Sequence, residues 1–322
     1  MKEKKQVKPF VSICTPTFNR RPFFPYLLKC FEGQNYPKDR IEWIILDDGT
    51  DCVKDVIDIY SAKYPQIKYH YYKDKMTLGK KRNLMHSFCK GDIIVYMDDD
   101  DYYPPERISH AVEMLEKNKN YLIAGSSELH IYFRKQNKIY QCGPYRENHS
   151  TAACFAFRKE LLLQTSYDET ACLAEETQFL KNYTIPMIQL NILKTILVFS
   201  HCQNSFDKNM LLESPLESRV TESPYNVKDF VKDKFMEDFY VNQLDNTLIT
   251  YDAGDLKNKP DVLKQIQVIT ETRIRRTVEY QKNVEIENIK NYYEQIIAGK
   301  NHLIDELFKK LKIQKEDELK MI

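Results

Sequence analysis

The first 117 residues alternate between short apolar runs and helix-like segments, and this alternation limits the folds that the chain can adopt. Strand-like apolar runs occupy residues 10–15, 41–46, 67–72 and 93–97. Segments with helical periodicity separate or follow them, at residues 23–31, 53–63, 79–89 and 104–117. Such alternation predicts βαβ units. The expected fold is therefore α/β, with a mostly parallel, Rossmann-like sheet that has helices on both faces.

The pattern changes after residue 120. Further strands are expected at residues 121–124, 129–133, 152–157 and 192–199, and helices at 159–165 and 175–183. The connections look like hairpins, so the sheet should be mixed. From residue 225 the chain becomes mostly helical. We therefore expect a main α/β domain at residues 1–224 and a helical extension at 225–322.

The helical extension carries an amphipathic stripe. Apolar side chains follow a 3-4 spacing, with Lys300 as the polar member, at Ile286, Ile289, Tyr293, Ile296, Leu303, Leu307 and Leu311. Such a stripe is typical of a helix that packs on another helix. We expect a bundle attached to the core; the alternative is a homodimerisation or acceptor-docking module.

Composition excludes some classes of partner. Lys and Arg (48) nearly balance Asp and Glu (47), so the net charge of +1 gives no reason to expect nucleic-acid binding. No apolar segment has the roughly 20 residues needed to span a bilayer. The N-terminus does not resemble a secretory signal. The eight cysteines are scattered without a Cys-x-x-Cys pair, which favours reduced thiols and a cytoplasmic protein.

Four consecutive aspartates follow the apolar run 93–97, at Asp98, Asp99, Asp100 and Asp101. Like charges so close together are costly unless a cation neutralises them. In open α/β sheets, ligands bind at the carboxyl ends of strands. We therefore predict that Asp98 and Asp100 bind Mn²⁺ or Mg²⁺, which prefer oxygen ligands and often bridge phosphates. The alternative is a solvated acidic loop.

Three other segments follow strands or begin helices. Asp47 and Asp48 follow the second strand and could accept hydrogen bonds from a ribose or a base, or simply form an Asp-Gly turn. Residues 15–20 follow the first strand and could hold a base, with Arg20 reaching phosphate. Residues 79–83 begin a helix, where anions bind; there Arg82 could hold phosphate oxygens, or the segment could be a basic helix face.

Taken together, these segments resemble the family 2 glycosyltransferases of GT-A fold. The resemblance rests on residues 11–20, 43–51, 79–83 and 91–101, which occur in the order and approximate spacing of that family, and it covers residues 8–205. It implies a nucleotide-sugar donor, commonly a UDP sugar, a Mn²⁺ or Mg²⁺ ion, and inversion at the anomeric carbon. The acceptor could be a glycan, a protein or a small molecule.

The resemblance also implies roles for individual residues. The nucleotide-sugar site would comprise Thr15, Pro16, Thr17, Phe18, Arg20, Asp47, Asp48, Gly79, Lys80, Arg82, Asp98 and Asp99. An inverting transferase needs a base for the acceptor hydroxyl. Glu176 is our first choice, with Glu175 as the alternative. His201 would be a third metal ligand beside Asp98 and Asp100, or else a hydrogen-bonded surface residue.

Two rival functions remain open from the sequence. A nucleotidyltransferase would share the sheet and the acidic metal site, but its glycine-rich basic loop after the first strand is missing from residues 15–20. A non-catalytic carbohydrate- or ion-binding module would need no base.

Overall fold

The structure, a computed structural model, describes residues 7–213 and 219–320. The chain divides into two compact units, Met1–Gln265 and Ile266–Ile322. The functional division expected at residue 225 stays a prediction.

The strands of the first unit are β1 (Val11–Thr17), β2 (Ile41–Asp47), β3 (Ile67–Tyr71), β4 (Ile93–Tyr96), β5 (Ile123–Gly125), β6 (Leu129–Phe133), β7 (Lys138–Cys142), β8 (Ala156–Arg158), β9 (Met187–Gln189), β10 (Val198–Ser200) and β11 (Val220–Glu222). Seven of them form a sheet in the order β3-β2-β1-β4-β8-β5-β9. Strands β3, β2, β1 and β4 are parallel, β8 is antiparallel to both of its neighbours, and β9 is parallel to β5. The predicted mixed, mostly parallel sheet is confirmed.

The helices are α1 (Phe24–Gly33), α2 (Lys54–Ser61), α3 (Leu78–Phe88), α4 (Arg107–Lys117), α5 (Glu176–Phe179), α6 (Met210–Glu213), α7 (Val227–Phe230), α8 (Lys234–Asp238), α9 (Leu244–Ile249) and α10 (Pro260–Lys320). Both faces of the large sheet are buried. In β4, Ile93 and Val95 belong to one hydrophobic cluster, and Ile94 and Tyr96 belong to another. Successive side chains of a strand point to opposite faces, so a strand with both faces covered is a continuous apolar run.

A second sheet has the order β10-β6-β7-β11. Strands β6 and β7 form an antiparallel hairpin, β10 is parallel to β6, and β11 is antiparallel to β7. The strand expected at 192–199 is shorter than predicted, because residues Ile192–Lys194 form a 3-10 turn before β10 begins. The side chain of Asn191 caps this turn by accepting a hydrogen bond from the amide of Leu193 at 3.0 Å.

Two other sequence expectations are corrected. The strand expected at 152–157 is a 3-10 turn, Ala152–Cys154, followed by β8. The helix expected at 175–183 is reduced to the four residues of α5. It ends early because Lys181, Asn182 and Tyr183 all have positive φ angles, of 49°, 55° and 63°, which no right-handed helix can accommodate.

Where a bundle attached to the core is expected, the described residues after 225 comprise three short α-helices and one long α-helix. Helices α7 to α9 pack on the core of the first unit, where Tyr240 stacks on Phe199 with 4.3 Å between ring centroids. Residues 260–320 form the single helix α10. Within the described ranges, no helix is both long and apolar enough to cross a membrane.

Candidate active site

The carboxyl ends of β1, β2 and β4 meet at one edge of the large sheet. The register pairs Thr17 with Asp47 across β1 and β2, and Cys14 with Tyr96 across β1 and β4. The Thr15 hydroxyl ties these ends together: it donates to the carbonyl of Met97 at 2.6 Å and accepts from the Trp43 indole N–H at 2.9 Å. The three predicted segments that follow these strands therefore lie side by side, as parallel strands require.

The carboxylates of Asp47 and Asp48 are both buried and held by protein donors. Asp47 accepts from the amides of Gly49 and Val53 and from the Tyr69 hydroxyl, at 2.7–2.9 Å. Burial raises the pKa of Asp47, and these hydrogen bonds oppose the rise. The Asp48 side chain is 0% exposed and accepts from the Lys81 ammonium at 2.5 Å. Both residues thus brace the edge of the site in this conformation, and a direct contact between Asp48 and a base stays a prediction.

The turn after β1 places an aromatic ring beside two ammonium groups. Phe18 is partly exposed, and its ring centroid lies 5.1 Å from Nζ of Lys75 and 6.0 Å from Nζ of Lys81. The Thr17 hydroxyl is buried without a hydrogen-bond partner in the described residues. Pro16 is a buried residue of β1. A ring, a free hydroxyl and nearby cations can hold a nucleotide, whose base stacks and whose phosphates carry charge.

Helix α3 begins against the loop that precedes α5. The amide of Gly79 donates to the carbonyl of Ala171 at 2.9 Å, and a Cβ atom on Gly79 would lie 1.9 Å from the carbonyl oxygen of Asp168. Only glycine fits this close approach. Lys80 is exposed and points away from the buried face of the helix, where Lys81 and Arg82 lie.

Arg82 joins the two sides of the site. Its Nη1 and Nη2 atoms donate to the two carboxylate oxygens of Asp98 at 3.2 and 3.1 Å, and its Nε donates to Glu175 at 3.0 Å. The guanidinium is buried and lies 4.4 Å from the ring centroid of Tyr96. Burial alone would lower the pKa of Arg82, but Asp98 and Glu175 outweigh it, so the pKa lies well above its ordinary value.

Glu175 and Glu176 differ in their surroundings. Glu175 is buried and paired with Arg82. The side chain of Glu176 has no ion pair in the part of the chain that the structure describes. Burial and the negative charge of Glu175 raise the pKa of Glu176 to about 7. A carboxyl group with a pKa near neutrality suits a general base.

The remaining aspartates surround Arg20. Its Nε lies 3.5 Å from Asp99, and its Nη2 lies 3.4 Å from Oδ2 of Asp100. Nε2 of His201 lies 3.2 Å from the same Oδ2 atom. Burial would raise the pKa of Asp100, but His201 and Arg20 hold it below its ordinary value. Asp101 accepts a hydrogen bond from the amide of Phe199 at 3.3 Å, which links the aspartate loop to β10.

Comparison with known proteins agrees with this arrangement. The family described as Glycosyl transferase family 2 matches residues 12–170. The chain carries a domain of this family. The resemblance noted from the sequence is confirmed for these residues, and so is the α/β class of fold with a mostly parallel sheet and a C-terminal helical extension. Glu175, Glu176 and His201 lie beyond the matched residues.

Two curated relatives are similar over a third of the chain or slightly more. The poly(ribitol-phosphate) beta-N-acetylglucosaminyltransferase TarS of Staphylococcus aureus is 25% identical over 108 residues, 33% of this chain and 19% of TarS. The putative teichuronic acid biosynthesis glycosyltransferase TuaG of Bacillus subtilis is 26% identical over 122 residues, 37% of this chain and 48% of TuaG. The chain thus spans 19% of the length of TarS and 48% of the length of TuaG.

Two solved structures are similar over 60% of this chain. The mannosyltransferase PcManGT from Pyrobaculum calidifontis, in complex with GDP-Man and Mn²⁺, has a TM-score of 0.49 at 16% identity, over 57% of its own chain. TarS 1-349 of S. aureus, in complex with UDP-GlcNAc, has a TM-score of 0.45 at 19% identity, over 58% of its own chain.

The family 2 domain brings only part of the predicted metal set together. Within residues 7–213 and 219–320, no group of three or more His, Cys, Asp or Glu side chains is arranged to hold a metal. Asp98 is turned toward Arg82 because the guanidinium binds both of its oxygens. A divalent cation held by Asp100 and His201 stays a prediction. Their nearest side-chain atoms are 3.2 Å apart, a spacing that two ligands of one ion can have when each bond is about 2.1 Å long.

Several residues of the site were not predicted from the sequence. From the sequence, Lys80 is assigned to the site and Lys81 is not. The helical repeat favours Lys81, because Met85 and Cys89 follow it at intervals of four residues and are also buried. Gln203 was missed as well, and its carbonyl accepts from Nη2 of Arg20 at 2.8 Å. No local pattern identifies Gln203, because its partner lies 183 residues away.

Proposed function

We propose that this protein transfers a sugar from a nucleoside diphosphate donor, with UDP as the leading nucleotide, to an acceptor hydroxyl with inversion at the anomeric carbon. One observation supports the proposal most. Arg82 contacts Asp98, on the expected donor side, and Glu175, beside the expected base. A buried cation between the two sides is well placed for a reaction in which negative charge develops on a departing diphosphate.

The relatives support sugar transfer as the reaction class. TarS is named as a beta-N-acetylglucosaminyltransferase and TuaG as a putative glycosyltransferase of teichuronic acid biosynthesis. Both match only part of their length to this chain, so the sugar and the acceptor of this protein do not follow from theirs.

The base of the donor would rest against Phe18, beside the buried Thr17 hydroxyl. Its diphosphate would extend along the aspartate loop. A divalent cation, Mn²⁺ or Mg²⁺, held by Asp100 and His201 would neutralise phosphate charge and so stabilise the leaving group. Asp98, fixed by Arg82, is positioned to accept hydrogen bonds from the sugar or the ribose.

The acceptor hydroxyl would lose its proton to a carboxylate oxygen of Glu176. Glu175 cannot readily do this while its Oε1 is bound to Arg82. The two glutamates therefore divide their roles: Glu175 holds Arg82 in place, and Glu176 takes the proton as the hydroxyl oxygen attacks the anomeric carbon from the side opposite the diphosphate.

Thermal melting and product analysis test this proposal. A rise in melting temperature with UDP that requires Mn²⁺, together with release of UDP from a UDP-sugar, is the expected result. Release of pyrophosphate would instead indicate a nucleotidyltransferase. Binding without any turnover on a panel of nucleotide sugars and acceptors would indicate a binding module, and no shift with any nucleoside diphosphate would contradict a nucleotide site.

We further propose that copies of the chain associate through helix α10. Its apolar stripe is open to solvent: Ile289 is 58% exposed and Leu303 is 56% exposed. In heptad terms the stripe follows positions a, d and e, and a 3-4 repeat lets two copies of one helix interlock. In a parallel pair, Glu285 would face Lys290 of a second copy, and these opposite charges would attract.

The opposite face of the helix carries acids such as Glu287 and Glu294, which an anionic lipid surface would repel.

A cytoplasmic location remains part of the proposal. The eight cysteines are all free of disulfides, and the sulfur atoms of Cys14 and Cys89 form a hydrogen bond at 3.4 Å. Closely spaced buried thiols persist in a reducing compartment.

A further inference from the structure

Residues 251–265, which we call the closing segment, cross the edge of the candidate site from outside the family region. Near the start of the segment, the Tyr251 hydroxyl donates to Asp51 at 2.8 Å, and the carbonyl of Ala253 accepts from the side chain of Asn19 at 2.9 Å. Asn19 belongs to the turn after β1. The segment is therefore attached to the part of the site where the donor base is expected.

The end of the closing segment is attached to the acceptor side. The side-chain oxygen of Gln265 accepts from the amides of Cys172 and Leu173 at 2.8 and 2.9 Å, just before Glu175. Between these ends, Asp261 forms an ion pair with Lys75, whose ammonium also lies over Phe18. The segment thus spans the site from the expected base pocket to the expected catalytic glutamates.

The closing segment is packed tightly against the residues that hold the aspartates. A Cβ atom on Gly254 would lie 2.1 Å from the side-chain oxygen of Gln203. Gln203 in turn accepts from Arg20, which faces Asp99 and Asp100. The position of the segment is therefore fixed relative to the aspartate loop.

Lys259 is the buried cation of this segment, with only 5% of its surface exposed. Three other cations around the site have direct partners: Arg20 pairs with Asp99 and Asp100, Lys75 with Asp261, and Lys81 with Asp48. Lys208 resembles Lys259, because its charge also interacts with aspartates of the loop, Asp100 and Asp101, at longer range. For the Lys259 ammonium, the described residues provide no hydrogen bond and no ion pair. Burial, together with the charges of Arg20 and Lys75, lowers the pKa of Lys259 to about 7, and the longer-range charges of Asp99 and Asp100 oppose this shift.

A buried charge without a direct partner is costly, so such a group often marks a place where a ligand supplies the missing charge. The missing charge here is negative, and the position is beside the aspartate loop. We propose that Lys259 binds a phosphate group of the nucleoside diphosphate donor, on the side of the diphosphate away from Asp100. This inference rests on the proposed function, because it assumes that a nucleoside diphosphate binds at this edge of the sheet.

The simpler alternative is that Lys259 only balances the charge of Asp99 and Asp100. The two roles differ in what they predict for ligands. A phosphate-binding lysine discriminates between a nucleoside diphosphate and its nucleoside, because the nucleoside lacks the charge that the lysine contacts. A counter-charge affects stability and does not discriminate between them.

Isothermal titration of the full chain with UDP and with uridine, and with GDP and guanosine, separates these roles. In the Lys259→Gln variant, we expect the affinity for the preferred diphosphate to fall about tenfold, as for the loss of one charged hydrogen bond, and the affinity for the nucleoside to stay unchanged. Lys257→Gln is the matched control, since Lys257 lies two residues away with a 61% exposed side chain. It should bind both ligands as the unmodified protein does.

Each outcome bears on one proposal or the other. Equal diphosphate affinity in Lys259→Gln and the unmodified protein would overturn the role of Lys259 and leave the proposed function standing. A lower melting temperature with an unchanged ratio of diphosphate to nucleoside affinity would identify a counter-charge and also overturn it. If no nucleoside diphosphate binds to the unmodified protein, the proposed function fails, and this inference fails with it. If Lys259→Gln does not fold, Lys259→Met takes its place with the same expectations.

Discussion

Nε of Arg82 donates to Oε1 of Glu175 at 3.0 Å, although the two residues are 93 positions apart in the chain. The same guanidinium binds both oxygens of Asp98. One buried cation therefore connects the aspartate loop to the start of α5. It also makes the two adjacent glutamates unequal, because the charge of Glu175 is compensated and that of Glu176 is not.

The first prediction concerns the base. In Glu176→Gln, the amide cannot accept the hydroxyl proton, so we expect turnover to fall by about 10²- to 10⁴-fold, the usual contribution of a general base. Donor affinity should stay within about twofold of the unmodified protein. Steady-state kinetics with saturating acceptor, together with donor titration, measure both quantities.

Glu175→Gln is the matched comparison for this variant. Removing its charge weakens the hold on Arg82, so donor KM should rise more than turnover falls. Near-normal turnover in Glu176→Gln, with a large loss in Glu175→Gln, would assign the base to Glu175 instead.

The second prediction is a pH dependence. Burial and the charge of Glu175 raise the pKa of Glu176 to about 7, with Arg82 opposing and Asp98 assisting the shift. A carboxyl group is protonated below its pKa, and only the ionised form can accept a proton. Turnover should therefore rise with pH, reach half its maximum near pH 7 and level off above it. Initial rates between pH 5.5 and 9 check this, and a flat profile below pH 7 would exclude Glu176 as the base.

Much of the fold follows from local patterns. Strand β2 was expected at 41–46 and is found at Ile41–Asp47, and α3 was expected at 79–89 and is found at Leu78–Phe88. Buried strands are continuous apolar runs, and amphipathic helices repeat every 3.6 residues, so both signals are contained in short windows.

The rest depends on contacts between distant parts of the chain. Strand β7 was not predicted, because Lys138 and Gln141 interrupt its apolar residues. Its position in the sheet is determined by pairing with β6 and β11. In the site, residue types and strand ends predicted where the aspartates would gather. Lys80 is exposed, whereas Lys81 and Lys259 are buried. These differences depend on which surfaces pack together, and one sequence does not contain that information.

The third prediction concerns the cation. In Asp100→Asn, a charged oxygen ligand becomes a neutral amide, so the rise in melting temperature produced by UDP with Mn²⁺ should disappear while the fold remains intact. Differential scanning fluorimetry with UDP, with and without Mn²⁺, measures it. Asp58→Asn, at a 61% exposed side chain on α2, is the control and should retain the full shift. An unchanged shift in Asp100→Asn would remove Asp100 from the metal site.

The fourth prediction concerns the attachment of residues after 225 to the core. The Tyr240 hydroxyl donates to the carbonyl of Asp101 at 3.1 Å in a buried setting. In Tyr240→Phe, the carbonyl loses this partner, and the free energy of unfolding should fall by about 1 kcal/mol. Urea unfolding measures the change. Tyr280→Phe, on the exposed surface of α10, should have no effect, and equal stability of the two variants would show that the Tyr240 bond contributes nothing.

The fifth prediction concerns self-association through α10. If copies of the chain pair along the apolar stripe, charges placed in that stripe must be desolvated in the complex and will break it. The double variant Ile289→Asp with Leu303→Asp should therefore sediment as a single chain, whereas the unmodified protein should sediment as a dimer or larger assembly. Asn291→Asp with Asn301→Asp adds the same charges two residues away, outside the stripe, and should leave the assembly unchanged. Sedimentation velocity at several concentrations distinguishes these cases. An unmodified protein that remains a single chain throughout, and instead co-sediments with phosphatidylserine vesicles, would show that the stripe serves a membrane surface and not a second copy.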